Sequence, residues 1–521
     1  MKNIVSWAVF LAILVLAIVF RSYELGERVL HNDEANQMVR AGRLIDKGEY
    51  IYDPVEHHGP TLYYLSLGAA VFSGGNDFAS TTESSFRVIP AIFGIGLVLL
   101  LLTLRRELGW ASVNAAAFLT AVSTCMVYYS RFYIQETLLV FFTFGSIVCG
   151  WRYFQSRNTW WAVGAGVCIG LMHATKETCV IAYAAMAAAF VVAVIWSKGI
   201  KLDKSDLDKL HVHLPVLVAA ALVVSIVLFS SFFTNWRGVW DSVATYQIYF
   251  ERGGGHNTDH VHPLYYYLQI LTYVKNGGLE WSEGIILIMG LVGIVMVLLK
   301  ARCLHAVDTG FARFMVVYTL LMTFVYSYID YKTPWCMMSF LHGWIVLGGI
   351  GAAGMWALLG TWPLRTVWCV GMLLPVYNLA EQTCRATFRY GADKRNPYAY
   401  SHTVTDFLNL ADRIDSIAEI SPEQKDMLIV VVTNQQDAWP LPWYLRKYAR
   451  KGFWNSVSDV PGEIKNPPIV VSSLDKEGEI DAYLGDSYQS EYWGLRNEVL
   501  LSLHIRRDLW DKFMETRTAT P

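Results

Sequence analysis

Two stretches near the N-terminus hold side chains suited to chemistry: His31-Asn32-Asp33-Glu34-Ala35 and His57-His58-Gly59-Pro60. Adjacent carboxylates beside an apolar span are expensive near a bilayer unless water or a ligand meets them. Asp33 and Glu34 could act as a base with its partner, or simply cap a helix where the chain reaches water. Further charged groups follow at span ends: Arg131 with Glu136, Lys176-Glu177, and Tyr331-Lys332. A carboxylate base with several cations suits transfer away from a phosphate. That leaving group is already a stable anion, so it needs cations and no general acid.

The elements that must position these groups are membrane spans. Hydrophobic residues make up 54% of the 521-residue chain and charged residues 17%. Mean hydropathy is +0.33. That balance fits a polytopic membrane protein. The net charge of -2 says nothing about nucleic acid, and no basic tract points to such a partner, so none is expected. The eight cysteines lie in or beside apolar segments, without zinc-like pairing. They read as small buried hydrophobes. Met1 to Phe20 reads as an uncleaved signal-anchor helix, since no small-x-small site follows it.

Spanning segments are expected near 3–20, 86–104, 110–128, 137–155, 160–175, 178–196, 213–232, 284–299, 311–328, 335–359 and 362–380, eleven in all. Segment 61–74 is too short to cross and reads as interfacial. Arg105-Arg106, Arg152 with Arg157, the Lys198 to Lys209 loop and Lys300 with Arg302 then share one face, which the positive-inside rule makes cytoplasmic. An integral protein of the inner or plasma membrane follows, with its N-terminus inside. The Asp33 loop, Arg131 to Glu136, Lys176-Glu177, the 233–283 loop and Lys332 all emerge outside.

Residues 1–384 thus form a mainly α membrane domain with outer loops 21–85 and 233–283, and 385–521 a small extracytoplasmic α/β domain. In the latter, helices are expected over 403–420, 439–451 and 507–516, and strands over 427–433, 468–473 and 499–505. A site at the outer face suits a lipid-borne substrate, with a sugar on a polyprenyl phosphate as the natural candidate. Asp33 would be the base, and Lys176, Lys332 and Arg131 would hold phosphate.

The arrangement resembles the GT-C glycosyltransferases, membrane enzymes such as protein O-mannosyltransferases and the lipid A aminoarabinose transferase. His31-Asn32-Asp33-Glu34-Ala35 is similar to their first-loop Asp-Glu motif, which implies a catalytic role for Asp33 and Glu34. His58-Gly59-Pro60-Thr61-Leu62-Tyr63-Tyr64 resembles their Lys-Pro-Pro-Leu-Tyr-Tyr stretch, with histidine in place of lysine. Arg87 in Phe86-Arg87-Val88-Ile89-Pro90, Glu136, Thr175-Lys176-Glu177, His262 in His262-Pro263-Leu264-Tyr265-Tyr266-Tyr267, and Tyr331-Lys332-Thr333-Pro334 have counterparts. The resemblance implies substrate-binding roles for His57, His58, Arg87, Arg131, Glu136, Lys176, Glu177, His262, Tyr331 and Lys332. Its closer form is to a group associated with flippase activity in archaeal-type surface glycosylation, carried by His-Asn-Asp-Glu-Ala, His-His-Gly-Pro and Tyr-Lys-Thr-Pro-Trp.

The expected partners are a polyprenyl-phosphate-linked sugar, membrane lipid, and a glycan, lipid or protein acceptor. No cofactor is required. A divalent metal could be held by Asp33 and Glu136, as separated carboxylates do in oligosaccharyltransferases, or by His256, Asp259, His260 and His262. A lipid-linked-sugar flippase or its helper, and a non-catalytic scaffold of an envelope glycan complex, are the competing functions. Charges gathered at one face, without transporter-like repeats, favour the enzyme.

Overall fold

The computed structural model describes residues 2–56, 58–75, 77–196, 204–253 and 260–518. The chain divides into two compact units. One comprises Met1–Leu25, Glu49–Ser66 and Phe86–Gly391; the other comprises Gly26–Gly48, Leu67–Ser85 and Ala392–Pro521.

The membrane unit is built of helices. In chain order they include α1 (Lys2–Ser22), α2 (Glu83–Thr103, entering from the second unit), α3 (Arg105–Val122), α4 (Thr124–Ser130), α5 (Glu136–Ser156), α6 (Thr159–His173), α7 (Cys179–Trp196), α8 (Lys204–Phe229), α9 (Arg237–Gly253), α10 (Gly284–Leu298), α11 (Thr309–Tyr328), α12 (Met338–Leu358) and α13 (Trp362–Cys384). Each of the eleven apolar segments coincides with one of these helices or with the broken pair α3–α4. Among the described residues seven helices are long and apolar enough to cross a membrane, or eight if that pair is one span. Thr159–His173 and Gly284–Leu298 have 15 residues each, so they fall short of a full crossing by length.

Segment 110–128 is not one straight span. It bends by 59° between α3 and α4. Glu283, fully buried at the N-terminus of α10, accepts from the Cys125 amide at 2.8 Å and from Ser123 Oγ. A broken helix leaves amides without intrahelical partners, and a carboxylate is a strong acceptor for them.

The second unit centres on a five-stranded sheet. With β1 (Val274–Asn276) and β2 (Leu279–Trp281) forming a hairpin in the membrane unit, the sheet strands are β3 (Ile429–Val432), β4 (Lys451–Trp454), β5 (Ile469–Ser473), β6 (Tyr488–Arg496) and β7 (Val499–Arg506), ordered β4-β3-β5-β7-β6. Strand β3 runs parallel to β4 and β5, and β7 pairs antiparallel with β5 and β6. Ile429, Val431, Ile469 and Val471 meet Phe407, Leu410, Ile414 and Leu509 of the helices Asp406–Ile420 and Arg507–Thr518 on one face. Val430, Val432 and Val470 meet Ile480 and Leu484 on the other. Val29 of the first loop, 1% exposed, sits in the former core.

That packing moves a boundary. The unit holding the C-terminal region begins at Ala392 and takes in two segments of the first loop. Leu30 N donates to the Tyr444 hydroxyl at 3.1 Å, Trp443 Nε1 to Glu83 at 2.7 Å, and Arg446 to Thr81 O at 2.7 Å. The helix expected over 439–451 is only Leu441–Tyr444, followed by strand β4. Pro442 inside the segment supplies no amide for a helix, and β3 offers 451–454 an open edge.

Candidate active site

The first-loop motif starts a helix, Asn32–Lys47, and His31 caps it. Asp33 N donates to His31 Nδ1 at 3.0 Å, and His31 N donates to Glu34 Oε2 at 3.3 Å. This is a capping box with histidine in the usual serine position. An Nδ1 that accepts an amide hydrogen is unprotonated, so Nε2 carries the proton toward Tyr400 O at 3.2 Å. Burial pushes the His31 pKa down, against the opposing pull of Asp33 and Glu34.

The motif's two carboxylates have separate surroundings. Glu34 is fully buried and also ion-paired to Arg28 at 3.3 Å. The Asp33 side chain is 45% exposed. It projects from the first turn, where the helix dipole favours an anion. Glu34 therefore holds the local backbone, while Asp33 keeps its carboxylate open to solvent.

In the membrane unit, Lys176 and Glu177 link two other segments. Lys176 Nζ is ion-paired to Glu136, the first residue of α5. Glu177 Oε2 lies 2.9 Å from His58 Nδ1, and Tyr52 OH lies 3.4 Å from Glu177 Oε1. Burial alone would raise the Glu177 pKa; His58 and Lys176 outweigh it and hold the carboxyl below its usual range. The His-Gly-Pro-Thr run is docked on the same turn. Thr61 N and Oγ1 both donate to Ala174 O, at 2.9 and 2.7 Å. A β-carbon at Gly59 would lie 2.3 Å from that oxygen, so only glycine fits.

Lys332 occupies a second cluster. Its Nζ donates to His262 O at 2.8 Å. Val261 and Tyr331 form an antiparallel bridge, with His262 N to Asp330 O at 3.2 Å and Lys332 N to His260 O at 2.9 Å. The His262 ring stacks on Tyr266 at 4.0 Å, and Tyr331 meets His260 edge-on at 5.0 Å. Lys332 is 1% exposed, and burial pulls its pKa down, with Asp330 opposing. Burial also lowers His262, helped by the charges of His260 and Lys332.

Two of the arginines hold backbone carbonyls. Arg131 donates to the carbonyls of Phe20, Tyr23 and Glu24 at 3.1, 2.6 and 2.8 Å. Arg87 donates to Leu25 O at 3.2 Å. Both thereby fix the chain where α1 ends. Glu283 and Tyr52 escaped sequence reasoning. The signal for Glu283 was a lone acid opening an apolar segment, the signature of a helix start. Tyr52 carried none beyond its place in an aromatic stretch. His57, His256 and Asp259 lie outside the described residues. Among the described residues no three His, Cys, Asp or Glu side chains gather as a metal ion would require.

This architecture is shared. The Dolichyl-phosphate-mannose-protein mannosyltransferase family matches residues 66–237. ArnT from Cupriavidus metallidurans bound to undecaprenyl phosphate superposes with a TM-score of 0.62 at 13% identity, covering 98% of each chain. The GT-C fold is the fold of this chain. The archaeal oligosaccharyltransferase AglB from Archaeoglobus fulgidus, in complex with an inhibitory peptide and a dolichol-phosphate, matches with a TM-score of 0.56 at 15% identity, over 95% of this chain and 74% of its own. No curated sequence matches significantly. In the GT-C fold both His31-Asn32-Asp33-Glu34 and the Lys176-Glu177 turn stand at helix ends, where a membrane protein can place charge at little cost.

Proposed function

We propose that the protein is an inverting glycosyltransferase that moves a sugar from a polyprenyl-phosphate donor to a glycan, lipid or protein acceptor at the outer membrane face. The observation that carries this reading is the separation of the Asp33-Glu34 pair in a GT-C fold. One carboxylate is spent on the helix cap and the other is held open beside it. ArnT and AglB, which share the fold, were solved with undecaprenyl phosphate and dolichol-phosphate, and this supports a polyprenyl-phosphate donor.

In the proposed reaction the acceptor oxygen attacks the anomeric carbon from the side opposite the phosphate. The new carbon–oxygen bond forms as the bond to phosphate oxygen breaks, and configuration inverts. Asp33 takes the acceptor proton. A carboxylate is basic enough, because that proton becomes acidic only as the bond forms. The departing phosphate keeps the electron pair, and the ammonium of Lys332, with that of Lys176, stabilises it. The C-terminal unit lies outside the cytoplasm on this reading, so a cytoplasm-only reporter fused at Pro521 should be silent. The test of function is mass spectrometry of lipid-linked and surface glycans with and without the protein. Loss of one transferred sugar with build-up of its lipid-linked donor is the expected result. Unchanged glycans would overturn the assignment.

A further inference from the structure

Helix α9 wears its amphipathic pattern inside out. Trp236, just before it, and Trp240 and Val243 recur at the spacing of one helical face, and they are 59%, 78% and 62% exposed. The opposite face carries Gly238, Ser242 and Thr245, and that face is buried. Thr245 Oγ1 donates to Pro54 O at 3.1 Å. A β-carbon at Gly238 would lie 2.2 Å from Phe229 O, so glycine lets the helix settle against the end of α8. A helix bordering water would turn its polar side outward.

The chain entering α9 reinforces this display. Ser231, Phe232 and Phe233 have φ of 50°, 56° and 72°. Three consecutive left-handed residues with side chains are unfavourable unless the surroundings impose them. Here Ser231 Oγ donates to Tyr50 O, Phe232 N to Val227 O at 2.8 Å, and Phe233 N to Ser230 Oγ at 3.0 Å. The outcome is that Phe232 and Phe233 are 56% and 54% exposed.

We propose that Phe232, Phe233, Trp236, Trp240 and Val243 form an anchor seated in the interface of the lipid bilayer, between head groups and acyl chains. Continuity with a span identifies the occupant. The candidate span His211–Phe229 has the least buried window of the seven, 11%. Its exposed Val218, Leu222 and Val223 form an apolar surface that meets lipid. The aromatic patch starts within one turn of that span's end. Tryptophan suits this boundary, its ring apolar and its N–H polar. Arg237, 88% exposed, stands beside Trp236 and can reach phosphate head groups. The anchor would tether the start of the 233–283 loop to the membrane surface. The middle of that loop, at Val261, pairs with Tyr331, next to Lys332.

The experiment uses the full-length protein in phosphatidylcholine nanodiscs, with and without brominated acyl chains. Subtracting the tryptophan emission of Trp240→Phe, and separately of Trp236→Phe, from that of the parent isolates each side chain. Each difference signal should fall by half or more in brominated lipid and resist iodide added to the water. A signal quenched by iodide and blind to bromine would overturn the anchor and leave the face open to a partner protein. A signal blind to both would place the side chain against protein and overturn it equally. The two tryptophans report independently, so misfolding of one variant leaves the other decisive.

Discussion

Lys176 and Glu136 form an ion pair with both side chains buried, 8% and 4% exposed. Removing one member of such a pair leaves an uncompensated charge and costs about 3–5 kcal/mol. Glu136→Gln and Lys176→Met should each lower the thermal midpoint of the purified protein, and the double variant should recover part of the loss. Purely additive losses would contradict a direct coupling.

His58 and Glu177 make a pH-dependent contact between the first loop and the turn after α6. The Glu177 pKa is depressed in the folded protein. The contribution is therefore fully present above the ordinary carboxylate pKa and is lost as pH falls through the depressed one. At neutral pH His58→Gln should be less stable than the parent by roughly 1.5–3 kcal/mol, the worth of a charge-assisted hydrogen bond. The gap should close in acid, below about pH 4. Melting curves of both proteins across pH check this, and a gap independent of pH would contradict it.

On the proposed reading Lys332 holds the phosphate of the donor. Its ammonium gives one hydrogen bond to the His262 carbonyl, and an ammonium has three donors. Lys332→Ala should weaken use of the lipid-phosphate donor by about one to two orders of magnitude, from a charge-assisted contribution of roughly 1.5–3 kcal/mol. Lys332→Arg should retain part of it. Donor titrations in reconstituted membranes measure this. Parental affinity in Lys332→Ala would make the lysine a structural tie between the strands of Val261 and Tyr331.

The helical segments were legible because long apolar runs announce themselves, and central strands β3 and β5 because both their faces are buried and they read as short β-branched runs, Ile-Val-Val-Val in β3 and Ile-Val-Val before two serines in β5. Edge strands were not. Lys451–Trp454 and Tyr488–Arg496 are mixed in polarity, since one side of each meets solvent or loops. The break at Ser123 was invisible because its compensating carboxylate, Glu283, lies far along the chain. The site residues were picked by type and order. Asp33 was singled out from its neighbour, but the burial of Glu34 was not legible, because it is set by the capping box and by Arg28.

That difference bears on stability as well. Glu34 accepts from Arg28 and from the His31 amide. Glu34→Ala removes a buried charged partner, so the helix Asn32–Lys47 should start less firmly, at a cost of about 3–5 kcal/mol. Hydrogen exchange of its first-turn amides should accelerate relative to the parent. Unchanged protection would show the cap to be dispensable.

The most direct measurement is sugar transfer by Asp33→Asn. The substitution keeps the shape and hydrogen-bonding capacity of the side chain and removes its basicity. General-base catalysis contributes about 100- to 10,000-fold. Labelled sugar passing from a polyprenyl-phosphate donor to acceptor in reconstituted membranes, followed beside lipid flipping in the same vesicles, should slow by that factor in Asp33→Asn. Donor binding and flipping should stay at the parental level. Transfer at the parental rate would contradict the account, as would loss of flipping by a protein that transfers no sugar at all.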